Sequence, residues 1–378
     1  MGYIAIRGGE RAIAASESIL EALRCGIFQA DPQSEPLTVT AIRDQLHLLT
    51  DRICSEGGLY HPDLAALAAK QAAGDTLEAS FILRAYRATR PRLGETTPLD
   101  GAAMRPLRRI SAAFKDLPGG QILGPTTDYL QRLFRYELLD EDPDSFHRAG
   151  ARWFADTPAA QAESFPKVVE LLRAEGLLPP PNANPPAPVD ITRQPLTFPA
   201  PRSAALAAMA RGETGSLLAI AYSAMRGWGY LHPTVAELRY GFIPVMWPHP
   251  LTGEPMEIGE IAVTECEIIT MYDRGAEEGA RPVFGLGYGA CFGHNEVKAI
   301  SIAMLDRSLQ NGRNHGATVP AEDDEFVLLH VDGVDAMGFC SHYKMPHYVT
   351  FQSDLDRLRA TRAAAQAPQA PQAKEATP

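Results

Sequence analysis

Apolar residues recur every three or four positions through much of the first half of this chain, a spacing typical of amphipathic helices. Within residues 39–56 they fall at Ile42, Leu46, Leu49 and Ile53, which predicts a helix there. The same reasoning, with glycine and proline as stop signals, predicts further helices from Gly8-Gly9 to Gly26, from His61-Pro62 to Gly74, over 77–89, over 126–139, from Ser203, over 215–225 and over 296–309.

Strand-like runs dominate a different part of the chain. Between Tyr240 and Thr270 lie YGFIPVMW, EIGEIAV and CEIITMY, which are rich in β-branched and aromatic residues. A short strand is predicted at Tyr3–Arg7, and EFVLLHV (325–331) is predicted to be a buried strand. The fold class predicted is α+β, with a helical N-terminal region and a mixed α/β C-terminal region.

Proline content suggests where the chain divides. Residues 178–202, LPPPNANPPAPVDITRQPLTFPAP with its flanks, predict an extended connector. We therefore expect a mainly helical region at 1–177 and an α+β region with the candidate active and metal sites at 203–362. The last residues, 363–378, are rich in alanine, glutamine and proline, and we expect a disordered tail.

Charge and cysteine content exclude several classes of function. The formal net charge of −11 does not favour nucleic-acid backbones as partners. No apolar run approaches the roughly 20 residues that cross a bilayer, and no secretory signal is evident, so we expect a cytoplasmic protein without a membrane partner. Five scattered cysteines without a CxxC pair predict neither a disulfide framework nor an iron–sulfur cluster in this chain.

The strongest local chemical signal is the pair His342 and His347 in SHYKMPH. Two imidazoles five residues apart suit a divalent metal such as zinc if the backbone bends between them, and Pro346 favours a bend. Two ligands are too few for a closed site, so a third must come from elsewhere. The local candidates are Cys340, His330 and Asp332, and a partner chain or the substrate is an equal alternative. The alternative is a pair of ordinary hydrogen-bonded histidines.

A second signal is the TECE segment, in which Glu265 and Glu267 flank Cys266. In a strand, side chains two residues apart point to one face. Two carboxylates on one face repel, which raises one pKa and separates acid from base roles. The alternative is a solvated strand face.

Basic residues beside glycine turns are the third signal. Arg108, Arg109 and Lys115 precede PGGQ, and Arg226 begins RGWG. Glycine lets backbone N–H groups approach phosphate oxygens, and arginine binds them bidentately. Neither turn is a P-loop, and GLGYG does not match the dinucleotide-binding pattern GxGxxG. The alternative is a set of tight turns with solvated cations.

Long strings along nearly the whole chain resemble one protein family. They include YIAIRGGERAI, KQAAGDTLEASFILRAYR, RRISAAFKDLPGGQILGPTTDY, DITRQP, AYSAMRGWGYLHP, GEIAVTECE, GYGACFG, AMLDRSLQ, DDEFVLLHVDGVDAMGF and SHYKMPHYVTFQSDL. In this order they resemble the PhnI subunits of the bacterial carbon–phosphorus lyase core complex.

The resemblance implies an activity and partners. Proteins of this family act in the cytoplasm with PhnG, PhnH and PhnL to place a phosphonate on C1′ of ATP, displacing adenine. The α-D-ribose 1-phosphonate 5-triphosphate formed is later cleaved by the radical subunit PhnJ, which carries the family's iron–sulfur cluster. Alone, such subunits are associated with hydrolysis of purine nucleoside triphosphates to the free base. The resemblance also implies that His342 and His347 form a metal half-site facing PhnJ.

Under this reading the carboxylates perform the chemistry at C1′. Departure of a base passes through an oxocarbenium-like state, which needs a nearby carboxylate and an acid for the leaving base. We expect Glu265 and Glu267 in these roles, with Asp323 and Glu325 as reserves. Arg108, Arg109, Lys115 and Arg226 are expected around the triphosphate. The competing hypotheses are a non-catalytic scaffold for PhnJ and an independent metallohydrolase.

Overall fold

The computed structural model describes residues 9–26, 35–156, 165–227, 233–273 and 281–366. The described residues form two compact units, which divide after Val334. Each unit is described by itself. The described helices are α1 Glu10–Arg24, α2 Val39–Gln45, α3 His47–Gly57, α4 Pro62–Gln71, α5 Thr76–Ala88, α6 Pro143–Asp156, α7 Val168–Ala174, α8 Arg202–Arg211, α9 Thr214–Gly227, α10 Glu296–His315, α11 Asp324–His330, α12 Gly333–His342 and α13 Tyr348–Gln366.

Four antiparallel strands form one sheet in the order in which they occur along the chain. They are β1 Arg105–Ile110, β2 Thr234–Pro248, β3 Pro255–Asp273 and β4 Val283–Phe292. Helices and an antiparallel sheet in one chain confirm the predicted α+β class. Short 3-10 helices at Gly101–Ala103, Tyr136–Asp140 and Pro320–Glu322 complete the regular structure described.

Glycines at alternate positions of β4 let α10 lie directly on the sheet. Gly287 and Gly289 leave no room for a Cβ, which would lie 2.2 Å and 2.1 Å from the carbonyl oxygens of Ala303 and Ala299. The apolar core on this face includes Leu238, Cys266, Ile268, Ile302 and Leu305. The GLGYG run is therefore a strand, and its glycines serve helix packing.

The helices before the sheet follow the predicted pattern closely. Helices α2 to α5 share a small core that includes Ile42, Ile53 and Leu83. The Asp75 side chain caps α5 by accepting hydrogen bonds from the backbone N–H groups of residues 77 and 78, and Pro62 opens α4. The structure confirms seven of the predicted helices: those from residue 9 and from Ser203, and those over 39–56, 61–74, 77–89, 215–225 and 296–309. The region 39–56 forms two helices, α2 and α3.

No helix or strand occurs among the described residues between Ala174 and Arg202, where the proline-rich connector was predicted. This segment packs on the sheet's core through Ile191, Leu196 and the buried Ala200. Since β1 precedes the segment and β2 follows it, the sheet is built from both sides of the predicted boundary.

The helix predicted over residues 126–139 is wrong. Only Tyr136–Asp140 forms a 3-10 helix, and Arg132 has a φ of 58°. The apolar side chains that suggested a helix face, among them Leu133 and Phe134, are exposed. A helix of this length is stabilised mainly by packing its apolar face. Without a packing surface, local turns such as the Thr126 hydroxyl bond to the Asp128 backbone N–H prevail.

The strand predicted over EFVLLHV is also wrong, because residues 325–330 lie in α11 and Val331 caps its end. Asp323 caps this helix by accepting a hydrogen bond from the Phe326 backbone N–H at 2.9 Å. Val327 and Leu328 are buried while Leu329 is exposed, which is a helical pattern. A short apolar run does not distinguish a strand from a buried helix. The runs EIGEIAV and CEIITMY belong to one long strand, β3.

Two predictions lie outside the described residues. They are the strand at Tyr3–Arg7 and the tail from residue 367 onward, whereas residues 363–366 belong to α13. In the ranges that are described, no helix is long and apolar enough to cross a membrane.

Gly289→Ala tests the contact between β4 and α10. A Cβ at this position forces the helix away from the strand, so the free energy of unfolding should fall by about 1–3 kcal/mol. Chemical denaturation measures the change. Gly150→Ala in α6 is the control, because nothing lies within 4 Å of its Cβ position, and it should be neutral or slightly stabilising. Equal effects of the two substitutions would contradict the packing role.

Candidate functional site

Glu265 and Glu267 lie on one face of β3, as the strand period requires. They are only 5% and 6% exposed, which excludes the alternative of a solvated strand face. Opposite them on β2 stand Arg239, paired with Glu265, and Glu237, paired with Glu267. On β4, Tyr288 faces Glu267. A polar layer therefore crosses the sheet on the face opposite α10.

Two cations hold the carboxylates in this layer. Lys167, just before α7, places its Nζ 2.8 Å from one oxygen of Glu265 and 3.0 Å from one oxygen of Glu267. Arg239 donates to the second carboxylate oxygen of Glu265 and, at 2.8 Å, to the carbonyl oxygen of Gly101. Both oxygens of Glu265 are thus bound by positive charge, whereas the structure gives Glu267 one cationic partner.

A second ion pair extends the layer towards β1. Arg109 donates to Glu237 over 2.5 Å, and both side chains are buried. The other oxygen of Glu237 accepts the backbone N–H of Val168 at 3.0 Å. Helix α7 is therefore attached to the sheet by its first backbone N–H group as well as by the neighbouring Lys167.

The pKa values of the two glutamates move in opposite directions. Burial raises the pKa of Glu265, but the charges of Lys167 and Arg239 outweigh burial and lower it overall. Burial also raises the pKa of Glu267; Lys167 offsets only part of this and the charge of Glu265 adds to it, so this pKa stays above its ordinary value. Burial and the neighbouring Glu265 raise the pKa of Tyr288 as well.

The chemical consequence is a division of roles between adjacent carboxylates. Glu265 stays ionised and can stabilise positive charge. Glu267 holds a proton to a higher pH and can donate it. Environments that drive two carboxyl pKa values apart are typical of acid and base assignments in enzymes, although structural ion-pair networks produce shifts too.

The four cations predicted around phosphate do not form one cluster in the described part of the chain. Arg108 is buried and pairs with Asp128 at 2.5 Å and Glu296 at 2.7 Å. Arg109 is committed to Glu237 and to the carbonyl oxygens of residues 118 and 166. Lys115 and Arg226 are exposed. Two of the four are thus structural ion-pair partners, and two remain accessible.

The PGGQ turn has a conformational reason for its glycines. Gly119 and Gly120 have φ values of 79° and 74°, in the left-handed region. Arg109 donates to the carbonyl oxygen of Pro118 at 2.7 Å, which fixes this turn to β1. The RGWG turn lies mostly outside the described residues.

His342 and His347 converge at the end of α12 and the start of the segment leading into α13. Their Nε2 atoms are 3.1 Å apart, and Nδ1 of His347 lies 2.6 Å from the carbonyl oxygen of Met345. Two nitrogens bound to one zinc at about 2.0–2.1 Å in tetrahedral geometry lie roughly 3.3 Å apart. A ring nitrogen on a backbone carbonyl is the usual second contact of a metal-binding histidine. A separation of 3.1 Å is also that of a hydrogen bond between the two rings, so the geometry fits both two ligands of a metal and the alternative of a hydrogen-bonded pair.

The further ligand candidates are placed as follows. Asp332 pairs with Arg84 at 2.8 Å, and Nδ1 of His330 lies 2.6 Å from the carbonyl oxygen of Phe326. Cys340 is exposed. In the described ranges no group of three or more histidine, cysteine, aspartate or glutamate side chains could hold a metal. Asp323 serves as a helix cap, and Glu325 is exposed.

Sequence reasoning missed the partners of the glutamates. Glu237 and Arg239 alternate in AELRY, and the same period of two that placed Glu265 and Glu267 on one face could have singled them out. Lys167 carried no such signal, because it lies about 100 residues away and only the fold brings it to the sheet.

Comparison with known proteins identifies the family of the chain. The family model for "Bacterial phosphonate metabolism protein (PhnI)" matches residues 2–365. HtxH of Stutzerimonas stutzeri is 64% identical over 96% of both chains. Two proteins named "Alpha-D-ribose 1-methylphosphonate 5-triphosphate synthase subunit PhnI" are also similar. The one from Escherichia coli K12 is 43% identical over 94% of this chain and 97% of its own, and the one from Rhizobium meliloti 1021 is 42% identical over 95% of both.

The family match over residues 2–365 places this chain, with its buried acidic pair and exposed histidine pair, among the proteins of bacterial phosphonate metabolism. The chain is a member of the PhnI family, whose members are subunits of the carbon–phosphorus lyase system.

Glu265→Gln tests the charge balance of the polar layer. At pH 7 it leaves Arg239 and Lys167 with one carboxylate fewer, and the free energy of unfolding should fall by about 3 kcal/mol. Because the folded-state pKa of Glu265 lies below its ordinary value of 4.5, the stabilisation by the ionised Glu265 side chain is fully present above pH 4.5. It is lost as the pH falls through the folded-state pKa. Urea denaturation between pH 3 and 8 should show the difference from wild type narrowing in acid.

Glu267→Gln is the matched control, with the opposite pH dependence. The folded-state pKa of Glu267 lies above 4.5, so ionising it costs stability as the pH rises from 4.5 through that pKa. The variant lacks this loss and should gain stability relative to wild type with rising pH. Parallel curves for the two variants would contradict the pKa assignment.

Proposed function

We propose that this chain is the subunit that exchanges the base of a nucleoside triphosphate for a phosphonate. The nucleoside triphosphate is ATP. The product would be an α-D-ribose 1-phosphonate 5-triphosphate such as the methylphosphonate compound. The names of the two PhnI relatives, each a subunit of an α-D-ribose 1-methylphosphonate 5-triphosphate synthase, support this product. The family resemblance supports a cytoplasmic setting with PhnG, PhnH and PhnL as partners and PhnJ as the subunit that takes the product onward.

The observation that carries the proposal is the pair of buried glutamates with opposite pKa shifts. A sugar with a phosphonate at C1 and a triphosphate at C5 arises from a nucleoside triphosphate by substitution at C1′. The C1′–N bond breaks, and its electron pair goes to the base nitrogen. An oxygen of the phosphonate then bonds to C1′. Positive charge develops on the sugar and negative charge on the base, so the reaction needs an anion and an acid.

Glu265 and Glu267 fit these two needs. Glu265, ionised beside Lys167 and Arg239, would stabilise the developing oxocarbenium ion. Glu267, with its raised pKa, would donate a proton to the leaving base. General acid catalysis contributes about 10²–10⁴-fold in rate. When water replaces the phosphonate as the nucleophile, the same residues support hydrolysis, which is the nucleosidase activity that the resemblance implies for the isolated chain.

The triphosphate needs cations that are not already neutralised. Lys115 and Arg226 are exposed, and we assign them to phosphate contact. Arg108 and Arg109 are assigned an indirect role, because they hold β1 and the PGGQ turn in place through buried ion pairs. This narrows the four residues predicted from sequence to two direct contacts.

The histidine pair is assigned a separate role. We infer that His342 and His347 supply two ligands to a divalent metal, zinc in the first place, and that a partner subunit such as PhnJ or the substrate completes the site. Converging Nε2 atoms and the carbonyl contact of His347 support this assignment. A metal there would act as a Lewis acid towards phosphonate or phosphate oxygens. An independent metallohydrolase needs a third ligand in this chain, and the described residues offer no such group.

Release of free base from ATP tests the proposed chemistry. The full-length chain, alone and co-purified with its partner subunits, is incubated with ATP with and without methylphosphonate, and adenine is measured by chromatography. Glu267→Gln should lower the rate by about 10²–10⁴-fold. Wild-type activity should fall as the pH rises above the raised pKa of Glu267, and the variant should lose this dependence.

Glu257→Gln is the matched control, since Glu257 lies on the same strand but is exposed; it should leave the rate unchanged. Absence of adenine under all conditions, with partners and phosphonate present, would favour the alternative of a non-catalytic scaffold.

Metal content tests the histidine half-site. The complex purified with its partner subunits should contain zinc in proportion to this chain, and His342→Ala or His347→Ala should remove most of it. His315→Ala is the control, because it lies at the end of α10 and is exposed. Inductively coupled plasma mass spectrometry measures the metal. Unchanged zinc in both pair variants would overturn the assignment, and tight zinc binding by the isolated chain would favour a complete site in one chain.

A further inference from the structure

A cavity of about 330 Å³ lies at the edge of the sheet beside the glutamates. It is open to solvent on one side and lined by the end of β4, helices α3, α5 and α8, and the segment 189–192. Its size is at the lower end of the range for small-molecule sites, about 300–1,000 Å³. A ligand of the size of one ring system fits this volume better than a complete nucleoside triphosphate does.

The cavity lies at the edge strand β4, where Cys291 lines it from the face that carries α10 and Ala290 from the face that carries the carboxylates. Ala290 lines the cavity and is the direct cross-strand partner of Glu265. Side chains in such pairs have Cβ atoms about 4.5–5.5 Å apart. Leu99 also lines the cavity, and two residues on, the Cβ position of Gly101 is 3.1 Å from a carboxylate oxygen of Glu265. A ligand in the cavity is therefore one side chain away from Glu265, and Glu267 lies two residues further along β3.

The walls favour a flat ring with apolar faces. Most of the lining side chains are apolar, and the wall includes the aromatic ring of Phe292; others are Leu99, Ile191, Ala207, Ala210 and Ala290. Arg87 and Arg211 meet at one end, where a guanidinium nitrogen of Arg87 and the Cδ of Arg211 each lie 3.4 Å from the Cβ position of Gly58. Aromatic side chains and guanidinium planes are the groups on which nucleobases stack.

The hydroxyl and carboxylate groups of the wall are already engaged in hydrogen bonds within the protein. The Ser55 hydroxyl donates to the carbonyl oxygen of Ala210 at 3.0 Å and accepts from the buried Lys298 at 2.7 Å. The Thr192 hydroxyl donates to Asp190 at 2.6 Å, and this bond is the main reason why the pKa of Asp190 falls to about 2. The Asp190 carboxylate also pairs with Arg92 at 2.6 Å. The hydroxyls and the carboxylate of this wall thus have partners within the protein, which leaves its apolar surface as the main contact for a ligand.

We propose that this cavity binds the purine base of the nucleoside triphosphate and so places the C1′–N bond beside Glu265 and Glu267. The inference rests on the proposed function, because it names the base as the group that leaves. It assigns substrate recognition to Leu99, Ala207 and Phe292. None of these residues belongs to the proposed acid and anion pair, so binding and chemistry are separable by mutation.

Binding of 2-aminopurine, a fluorescent purine base, tests the cavity without any turnover. The full-length wild-type chain should quench its fluorescence saturably, with adenine as a competitor. Ala207→Leu fills the cavity from α8 and should weaken binding by about 10–100-fold. Leu99→Ala removes one lining side chain at a partly exposed position and should weaken base binding by about tenfold. This second variant keeps the test valid if the first does not fold.

A surface variant is the control for the cavity variants. Ala363→Leu, exposed on α13, should bind the base like wild type. If the wild-type chain binds the base but releases none from ATP, the result would support the cavity assignment and contradict the proposed chemistry. Base release and base binding unaffected by both cavity variants would overturn the cavity assignment, as would preferential binding of methylphosphonate or inorganic phosphate that both variants abolish.

Discussion

The charge balance around Lys167 is the interaction on which the candidate site and much of the sheet depend. One ammonium group lies between two buried carboxylates, and Arg239 binds the free side of only one of them. The neighbouring pair of Arg109 and Glu237 ties β1 and α7 into the same layer. Removing a single member leaves a buried charge uncompensated, which typically costs several kcal/mol. The same arrangement gives the two glutamates different protonation, so the stability of this face and its proposed chemistry have one physical origin.

The two faces of the sheet differ in what packs against them. On one face, Gly287 and Gly289 have no side chain, so α10 packs directly against the backbone of β4. This leaves the apolar core on that side continuous and frees the opposite face for charged groups. On the opposite face the polar layer lies between apolar clusters that include Leu286 and Ile269 on one side and Val263 and Ile243 on the other. These clusters exclude water from the carboxylates, and burial is the main cause of the raised pKa of Glu267.

The histidine pair represents a different kind of chemistry in a different compact unit. Both rings are exposed, and their nitrogens converge without a third ligand group among the described residues. An exposed half-site suits a subunit that shares a metal with another protein, whereas the buried glutamates suit a reaction that one chain supports by itself. In our proposal the base therefore leaves at the sheet, and the metal serves phosphonate or phosphate oxygens at an interface with a partner.

The sequence by itself determined the family, most of the helices, the common face of Glu265 and Glu267, and the spacing of His342 and His347. These features are local or periodic, and period and spacing are visible without the fold. Only the tertiary structure decided that 126–139 is not a helix, that EFVLLHV is one, and that Arg108 and Arg109 are occupied by buried ion pairs. It also brought Lys167 to the glutamates and Ala290 to the cavity wall. A local pattern states what a segment is able to form, whereas its packing surface and its charged partners are supplied by residues far away in the chain.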